Sequence, residues 1–253
     1  MGYADQLFDL TSKVVVVTGG SRGLGKEIAF ASARMGADVV IASRNLESCE
    51  QTAAEIEEQT GRTALPYAVH VGRWDQLDGF VEAVYERFGK ADVLFNNAGM
   101  SPLYEKVTDI PEKLFDAVVN LNFKGPFRLC ALFGERMAAA GGGSIINVSS
   151  TGSIRTNPTI VPYAASKAAL NSLTDSFAMI LGPNVRVNTL MAGPFFTDIA
   201  KAWDMDHINE HLQAHALQRG GQPPEIIGAA LYLASDASSY TSGATIRVDG
   251  GIP

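Results

Sequence analysis

The chain has 253 residues, of which 46% are hydrophobic and 19% are charged, and its formal net charge is −7. This composition is typical of an ordered protein with a sizeable core, and it argues against a disordered chain. No apolar run reaches the roughly 18 residues of a membrane span, and no basic patch accompanies the acidic balance, so neither a membrane nor a nucleic acid is expected as a partner.

Short β-branched runs alternate with longer helical patterns along the whole chain. In chain order, strands are predicted over 13–18, 38–42, 64–71, 92–95, 144–149, 185–190 and 244–248. Helical patterns cover 46–59, 74–88, 111–139, 164–181 and 225–234. This alternation predicts one α/β domain over residues 1–253, with a doubly wound, parallel, seven-stranded sheet and helices on both faces. The least regular segment, 194–222, is interpreted as a helical insertion or lid.

A glycine-rich loop follows the first predicted strand. Residues 19–25, Gly-Gly-Ser-Arg-Gly-Leu-Gly, lead into an apparent helix. Glycines let the backbone turn tightly and approach a pyrophosphate, and a helix N-terminus supplies amide donors and a favourable dipole. The loop therefore predicts a nucleotide site, with a plain glycine-rich turn as the alternative. Its spacing, Gly-x-x-x-Gly-x-Gly, differs from the usual Gly-x-Gly-x-x-Gly fingerprint.

Tyr163 and Lys167 stand four residues apart at the predicted start of a helix. That spacing places both side chains on one helical face. A free phenol has a pKa of about 10, and a nearby lysine charge favours the phenolate, so the pair could act as a general acid/base. A solvated helix face is the alternative interpretation.

Several short motifs occur in an order that resembles one protein family. They are Thr18-Gly-Gly-Ser-Arg-Gly-Leu-Gly25, Asn96-Asn-Ala-Gly99, Asn122-Phe-Lys-Gly125, Ser149-Ser150, Tyr163-Ala-Ala-Ser-Lys167, Arg186-Val-Asn188 and Val248-Asp-Gly-Gly251. Their order and spacing are similar to those of the short-chain dehydrogenase/reductase family, in its 3-oxoacyl-reductase-like branch. The resemblance covers nearly the whole chain. It implies a Rossmann-like fold and hydride transfer between a nicotinamide cofactor and a carbonyl or secondary alcohol.

The resemblance also implies a catalytic set. Tyr163 would donate a proton to a carbonyl or accept one from an alcohol, and Lys167 would lower its pKa and hydrogen-bond the nicotinamide ribose. Ser150, thirteen residues before Tyr163, would hold the substrate oxygen, whereas Ser149 is expected to be a structural strand-end residue. Asn122 matches an asparagine that holds a water in the proton relay, with local backbone binding as the alternative.

The expected cofactor is NADP(H) rather than NAD(H). An acidic residue facing the adenosine ribose favours NAD, and an arginine there accommodates the 2′-phosphate of NADP. Ser43 stands where NAD-type relatives carry the acid, Arg44 follows it, and Arg22 could add a second positive charge. Either arginine could instead be an ordinary surface residue. The other cofactor contacts that the resemblance implies, besides Tyr163 and Lys167, are Gly19, Ser21, Gly23, Leu24, Gly25, Asn45, His70, Val71, Asn97, Ala98, Gly99, Gly193, Pro194 and Thr197.

Two positions depart from the family pattern. His70 stands where many relatives have an aspartate that receives the adenine amino group. Its imidazole could accept a hydrogen bond or stack there, or it could be a packed strand-end residue. Ala192 replaces the proline of a Pro-Gly pair, which puts the backbone course near the nicotinamide in question.

The predicted lid is apolar and carries three of the four histidines. Phe195, Phe196, Trp203 and Met205 indicate an apolar surface, and residues 101–104, from Ser101 to Tyr104, are expected to border the pocket. His207, His211 and His215 recur every fourth residue, but eight helical residues span about 12 Å, too far for one ion. The two cysteines, Cys49 and Cys130, add no metal knuckle, so no metal site is expected. A lid face that changes charge near neutral pH is a milder hypothesis.

Three functions remain open at this stage. The first is an NADP(H)-dependent carbonyl reductase or alcohol dehydrogenase, and its nearest alternative is a 3-oxoacyl-thioester reductase. A non-catalytic NADP-binding regulatory protein is the third, although such a protein does not need the full catalytic set. The expected partners are a small-molecule carbonyl or alcohol and further copies of the chain, since the family commonly forms homotetramers and homodimers. The N-terminal residues lack a signal-peptide pattern, so a cytoplasmic location is expected.

Overall fold

The structure, a computed structural model, describes residues 2–197, 208, 210 and 212–253. Within these residues, seven parallel strands form one sheet in the order β3-β2-β1-β4-β5-β6-β7. The strands are β1 (Val14–Thr18), β2 (Asp38–Ser43), β3 (Ala64–Ala68), β4 (Val93–Asn96), β5 (Gly143–Ser150), β6 (Val185–Ala192) and β7 (Thr245–Val248). The predicted single α/β domain with a doubly wound, seven-stranded parallel sheet is confirmed.

Helices cover both faces of this sheet. They are α1 (Tyr3–Leu7), α2 (Gly23–Arg34), α3 (Leu46–Thr60), α4 (Trp74–Phe88), α5 (Glu112–Val119), α6 (Gly125–Ala139), α7 (Val161–Leu181) and α8 (Ile227–Ala234). One core contains side chains of α2, α3 and α8, and the other contains those of α4, α6 and α7. Among the described residues, none of the helices has both the length and the hydropathy that a membrane crossing requires.

The central strand shows why the sheet forms. Four consecutive valines and Thr18 make up β1, and all five residues are buried. Val15 and Val17 contact one core, while Val14 and Val16 contact the other. A strand covered by helices on both faces needs apolar side chains at every position, and β-branched residues fit its pleat. The valine run therefore places β1 in the middle of the sheet.

Two strands end two or more residues away from their predicted ends, and three others end one residue later than predicted. β3 ends at Ala68, three residues early, because the backbone N–H of Arg73 donates to the carbonyl of His70 in a turn that leads to α4. β6 continues to Ala192, two residues late, because it is paired on both sides to its end. The regular hydrogen-bond ladder thus reaches the edge of the candidate site on β6.

The helical pattern predicted over 111–139 is not one continuous α-helix. A π-helical turn, Asn120–Lys124, separates α5 from α6. At the start of α6 a Cβ on Gly125 would lie 2.2 Å from the carbonyl oxygen of Val71, so only glycine allows this approach. Such turns occur often at functional sites. Here it buries Asn122 completely.

Candidate active site

The candidate site lies at the carboxyl ends of the strands, where the strand order reverses. β1 lies between β2 and β4, so the connections after β1 and β4 leave in opposite directions and a crevice opens between them. Ligands of open α/β sheets bind at such switch points. The glycine loop, the segment after β4 and the first turn of α7 all meet here.

The glycine loop is folded tightly at its two ends. Gly19 has a φ of +66°, a conformation that residues with side chains rarely adopt. A Cβ on Gly25 would lie 2.2 Å from the carbonyl oxygen of Gly19 and 2.5 Å from Nδ2 of Asn97. Since no side chain fits at Gly25, the start of α2 can approach the end of β1. Leu24, by contrast, packs partly against a core.

Thr18 holds the glycine loop against the end of β4, and the sequence analysis did not single it out. Its Oγ1 donates to the carbonyl of Phe95 at 3.1 Å and accepts the N–H groups of Asn97 and Ala98 at 3.0 and 3.1 Å. In return, Asn97 Nδ2 donates to the carbonyls of Thr18 and Gly19 at 3.0 and 3.2 Å. The sequence signal for this role is a hydroxyl residue that directly follows a run of four valines.

The residues expected near the adenosine ribose lie at the end of β2. Ser21 Oγ donates to Ser43 Oγ at 3.0 Å, which ties the glycine loop to this strand. Asn45 caps α3, because its Oδ1 accepts the N–H of the third helical residue at 2.8 Å. Arg22 and Arg44, which follow these two serines in sequence, are exposed. Two exposed arginines therefore stand next to this end of the crevice, and position 43 carries a hydroxyl instead of a carboxylate.

His70 and Val71 follow β3 at the same edge. His70 Nδ1 accepts the backbone N–H of Gly72 at 3.1 Å. A neutral imidazole that accepts at Nδ1 carries its proton on Nε2, so the remaining ring nitrogen is a donor. The acceptor role considered for His70 is thus already taken by the chain's own backbone. Val71 is buried, and its carbonyl faces Gly125.

Ser150 and Tyr163 come together around Gly152. A Cβ on Gly152 would lie 3.4 Å from Ser150 Oγ and 3.7 Å from Cε1 of Tyr163. Tyr163 is the third residue of α7 and is partly buried, and Ser150 is the last residue of β5. Ser150 Oγ accepts the N–H of Gly152 at 3.1 Å, which leaves its own proton free to donate.

Asn122 and Lys167 come together beneath Gly99. A Cβ on Gly99 would lie 3.0 Å from Asn122 Oδ1 and 3.6 Å from Lys167 Nζ. Both amide atoms of Asn122 bind the backbone of Met100, with Oδ1 accepting its N–H at 2.9 Å and Nδ2 donating to its carbonyl at 2.8 Å. Asn122 thus binds the backbone of a segment 22 residues away, rather than the backbone next to it that the alternative interpretation proposed.

Lys167 is anchored to the end of β5. Its Nζ donates to the carbonyl of Val148 at 2.7 Å and lies 5.9 Å from the ring centroid of Tyr163. Ser149 Oγ donates to the carbonyl of Lys167 at 3.4 Å, so this serine binds the backbone of α7. These contacts fix the lysine beside the tyrosine.

Burial controls the protonation of this pair. Lys167 is 4% exposed, and burial lowers its pKa to about 8. Burial also raises the pKa of Tyr163, and a hydrogen bond with Ser150 acts in the opposite direction. The spacing of the pair predicts that Lys167 lowers the pKa of Tyr163. The net shift of this pKa is upward, because removal of the phenol from water outweighs the hydrogen bond with Ser150.

The residues after β6 approach the glycine loop. The N–H of Gly193 donates to the carbonyl of Val248 at 2.9 Å, so the backbone continues the sheet ladder past Ala192, where the family pattern has a proline. The carbonyl of Pro194 accepts the N–H of Gly221 at 2.9 Å. Thr197 lies beside Gly23, with its Cβ 3.4 Å from where a Cβ on that glycine would be.

Several side chains in the described part of the predicted lid are packed, although most residues from 213 to 219 are exposed. Phe195 is buried and pairs with Gly221 in an isolated β-bridge, and the ring of Phe196 lies against Gly220. His215 is buried as well. Trp203, Met205, His207 and His211 lie outside the described residues. Within the described residues, no cluster of His, Cys, Asp and Glu side chains could hold a metal ion.

The pKa of Lys167 predicts how stability depends on pH in the cofactor-free protein. Between about pH 8 and 10 the unfolded chain holds a proton that the folded chain has lost, so the free energy of unfolding rises with pH. The contribution is up to about 3 kcal/mol, since one pKa unit corresponds to about 1.4 kcal/mol. Urea unfolding of wild type and Lys167→Met at pH 7 to 10 measures it. If the difference in free energy of unfolding between the two proteins stays constant over this pH range, the lowered pKa of Lys167 is contradicted.

Comparison with known proteins identifies the family. Residues 19–253 match a family model described as enoyl-(acyl carrier protein) reductase. The chain is 35% identical to the short chain dehydrogenase/reductase astE of Aspergillus oryzae, over 98% of this chain and 97% of that protein. It is 36% identical to the 3-oxoacyl-[acyl-carrier-protein] reductase FabG of Chlamydia trachomatis, over 96% and 98%.

A solved structure agrees with these relatives. The structure of a 7α-hydroxysteroid dehydrogenase, complexed with NADH and 7-oxo glycochenodeoxycholic acid, superimposes with a TM-score of 0.93 at 34% identity. The match covers all of this chain and 98% of the other. The chain therefore belongs to the short-chain dehydrogenase/reductase family of oxidoreductases, in a branch that resembles the 3-oxoacyl reductases.

Proposed function

We propose that the protein is an NADP(H)-dependent oxidoreductase that transfers a hydride between the nicotinamide and a carbonyl or secondary alcohol. The observation that carries this proposal is the meeting of four side chains at the switch point of the sheet. Ser150 and Tyr163 flank Gly152, and Asn122 and Lys167 meet beneath Gly99. Belonging to an oxidoreductase family supports it further.

Tyr163 gives a proton to the carbonyl oxygen during reduction and takes one from the alcohol during oxidation. Because burial raises its pKa, the phenol is protonated at neutral pH and ready to donate. Ser150 steadies the oxygen as charge develops there, since its Oγ already accepts from Gly152 and its proton is free to donate. A bound nicotinamide nucleotide supplies or receives the hydride.

Lys167 supplies a positive charge beside Tyr163 and stabilises the phenolate that remains after proton transfer. One of its three protons binds Val148, so two can serve the phenol and a ribose hydroxyl. Asn122 Oδ1 and Lys167 Nζ both lie within 4 Å of where a Cβ on Gly99 would be. A water held between Asn122 and Lys167 would connect the pair to solvent.

The crevice suits the phosphate groups of a dinucleotide. The glycine loop leaves its backbone open to a pyrophosphate, since Gly19 and Gly25 carry no side chain at the close approach. Ser43 offers a ribose 2′-hydroxyl a neutral hydroxyl instead of a carboxylate, and Arg44 and Arg22 would present positive charge to a 2′-phosphate. The related steroid dehydrogenase holds NADH, so this choice rests on the chain's own residues.

A 3-oxoacyl-thioester reductase is the second candidate. The match to FabG at 36% identity over 96% of the chain favours it. The catalytic residues would act in the same way, and only the group attached to the carbonyl would differ. A panel of simple ketones and 3-oxoacyl thioesters separates the two candidates, and tight NADPH binding without any turnover would favour a regulatory protein.

We expect Tyr163→Phe to lose turnover and keep the cofactor. Removing the proton donor should lower kcat by about 10²- to 10⁴-fold, the usual contribution of a general acid. The dissociation constant for NADPH, measured by fluorescence, should change by less than about threefold. Tyr240→Phe, which alters a fully exposed tyrosine, is the matched control. Full activity of Tyr163→Phe would refute the assigned role.

The cofactor preference is tested at Arg44. Arg44→Ala should weaken NADPH binding by roughly 10- to 100-fold, because a hydrogen bond between charged groups contributes about 1.5–3 kcal/mol. NADH binding, which involves no 2′-phosphate, should stay the same. Arg87→Ala removes another exposed arginine, on α4, and serves as the control. If the wild-type protein binds NADH more tightly than NADPH in calorimetry, the choice of NADP(H) is wrong.

We further propose that the protein assembles as a homotetramer or homodimer. Large apolar side chains on α5, α6 and α7 are exposed, among them Phe115, Phe127 and Met179, the last 85% exposed. Apolar surface of this kind marks interfaces between protein copies. Light scattering at micromolar concentration should give two or four times the mass of the chain, and a monomer there would contradict the proposal.

A further inference from the structure

Helix α7 carries Tyr163 and Lys167 but lacks a cap of its own. Its N-cap residue, Ile160, makes no side-chain hydrogen bond to the helix. The residues that usually cap a helix are Ser, Thr, Asp and Asn, and α3 uses Asn45 in this way. The first N–H groups of α7 therefore need a partner from elsewhere. Pro162, in the first turn, has no N–H and reduces the number to be satisfied.

Tyr104 supplies the missing partner from 57 residues away. Its hydroxyl oxygen accepts the N–H of Val161, the first residue of α7, at 2.7 Å. The same hydroxyl donates its proton to the carbonyl of Pro158 at 2.8 Å. One phenol thus satisfies a helix-start donor and binds the turn that leads into the helix. Together, these two bonds fix where α7 begins.

The position of this contact matters for Tyr163, which lies two residues after Val161 in the first helical turn. Fraying of a helix starts at such a turn when its N–H groups are unpaired. Ser150, in contrast, is fixed at the end of β5 by the sheet. The distance between the two hydroxyl-bearing side chains therefore depends on how firmly the start of α7 is held.

The ring of Tyr104 lies at the start of α7. It lines a small pocket together with Pro102, Ile160, Pro162 and Tyr163. The phenol therefore contributes apolar packing near the start of the helix as well as the two hydrogen bonds of its hydroxyl.

The segment that carries Tyr104 is also tied to the second pair of the site. Met100, four residues earlier, binds both amide atoms of Asn122. Residues 100–104 thus run from Asn122 to the start of α7, with a two-bond anchor at each end. Between the anchors, Leu103 is 60% exposed. The segment connects the two parts of the site through these polar contacts, and Met100 also packs against the core on the α4, α6 and α7 side.

We propose that Tyr104 is a positioning residue whose hydroxyl caps α7 from a distance and thereby holds Tyr163 at Ser150. The kinetic part of this proposal rests on the proposed function, in which Tyr163 transfers the proton. The capping part rests on geometry alone. Tyr104 touches neither Ser150 nor Lys167 in the contacts described above, so its effect on catalysis passes through the start of α7.

Tyr104→Phe tests the proposal, because it keeps the ring and removes only the hydroxyl. We expect kcat for carbonyl reduction, expressed per NADPH-binding site, to fall about tenfold, while the KM for NADPH is unchanged. The solvent deuterium isotope effect on kcat should rise, since a displaced Tyr163 makes proton transfer slower. Partial unfolding would lower the number of NADPH sites instead and leave both turnover per site and the isotope effect as in wild type.

Hydrogen exchange provides a readout that does not depend on turnover. In Tyr104→Phe the amides of Val161 and Tyr163 should exchange at least tenfold faster, with those beyond Lys167 unchanged. Tyr240→Phe should match wild type in every measurement. Unchanged exchange at Val161 would overturn the cap, and unchanged turnover per site would overturn the positioning role. A wild-type protein that reduces no carbonyl would overturn the proposed function, and exchange at Val161 would still decide the cap.

Discussion

The bonds around Thr18 hold together the two strand ends on which the site depends. β1 and β4 are neighbours in the sheet, but their connections leave in opposite directions, and a gap between them is required for a ligand. The hydroxyl of Thr18 bonds three backbone groups after β4, and Asn97 returns two bonds to the glycine loop. Without these bonds, the buried polar groups at this junction would lack partners, which costs about 1–3 kcal/mol each.

Three of the four side chains of the candidate site are anchored by backbone contacts. Asn122 binds Met100, Lys167 binds Val148, and Ser150 accepts from Gly152. Each anchor leaves part of the side chain's hydrogen-bonding capacity unused. The arrangement places a buried ammonium near a partly buried phenol, which is unfavourable for stability and shifts the pKa of both groups.

Much of the fold follows from the sequence because the signals are local. Valine runs, glycines between a strand and a helix, and a tyrosine four residues before a lysine each act within a few residues. The resemblance to a family then brought Ser150 and Asn122 to the same site as Tyr163, and the structure places all of them near Lys167. The seven strands were found for the same reason, with errors only at their ends.

The features that the sequence did not predict depend on contacts between residues far apart in the chain, or on opposing effects on one pKa. The bond from Tyr104 to Val161 joins residues 57 apart, and Thr18 pairs with groups almost 80 residues away. The direction of the pKa shift of Tyr163 follows from how deeply the phenol is buried, which spacing does not reveal. The acceptor nitrogen of His70 is taken by Gly72, a neighbour that only the turn after β3 brings into reach.

The π-helical turn at Asn120–Lys124 links the site to the core through the phase of a helix. Each residue of an α-helix rotates the side-chain direction by about 100°. The π-helical turn holds one more residue than an α-helical turn, so it changes the direction of the residues that follow. The turn aims Asn122 at the site while α6 still presents Leu129 and Phe133 to the core. Loss of one residue here would rotate either the asparagine or the whole buried face of α6. The direction in which Asn122 points and the face that α6 buries are therefore fixed together, because a change in the number of residues in the π-helical turn alters both.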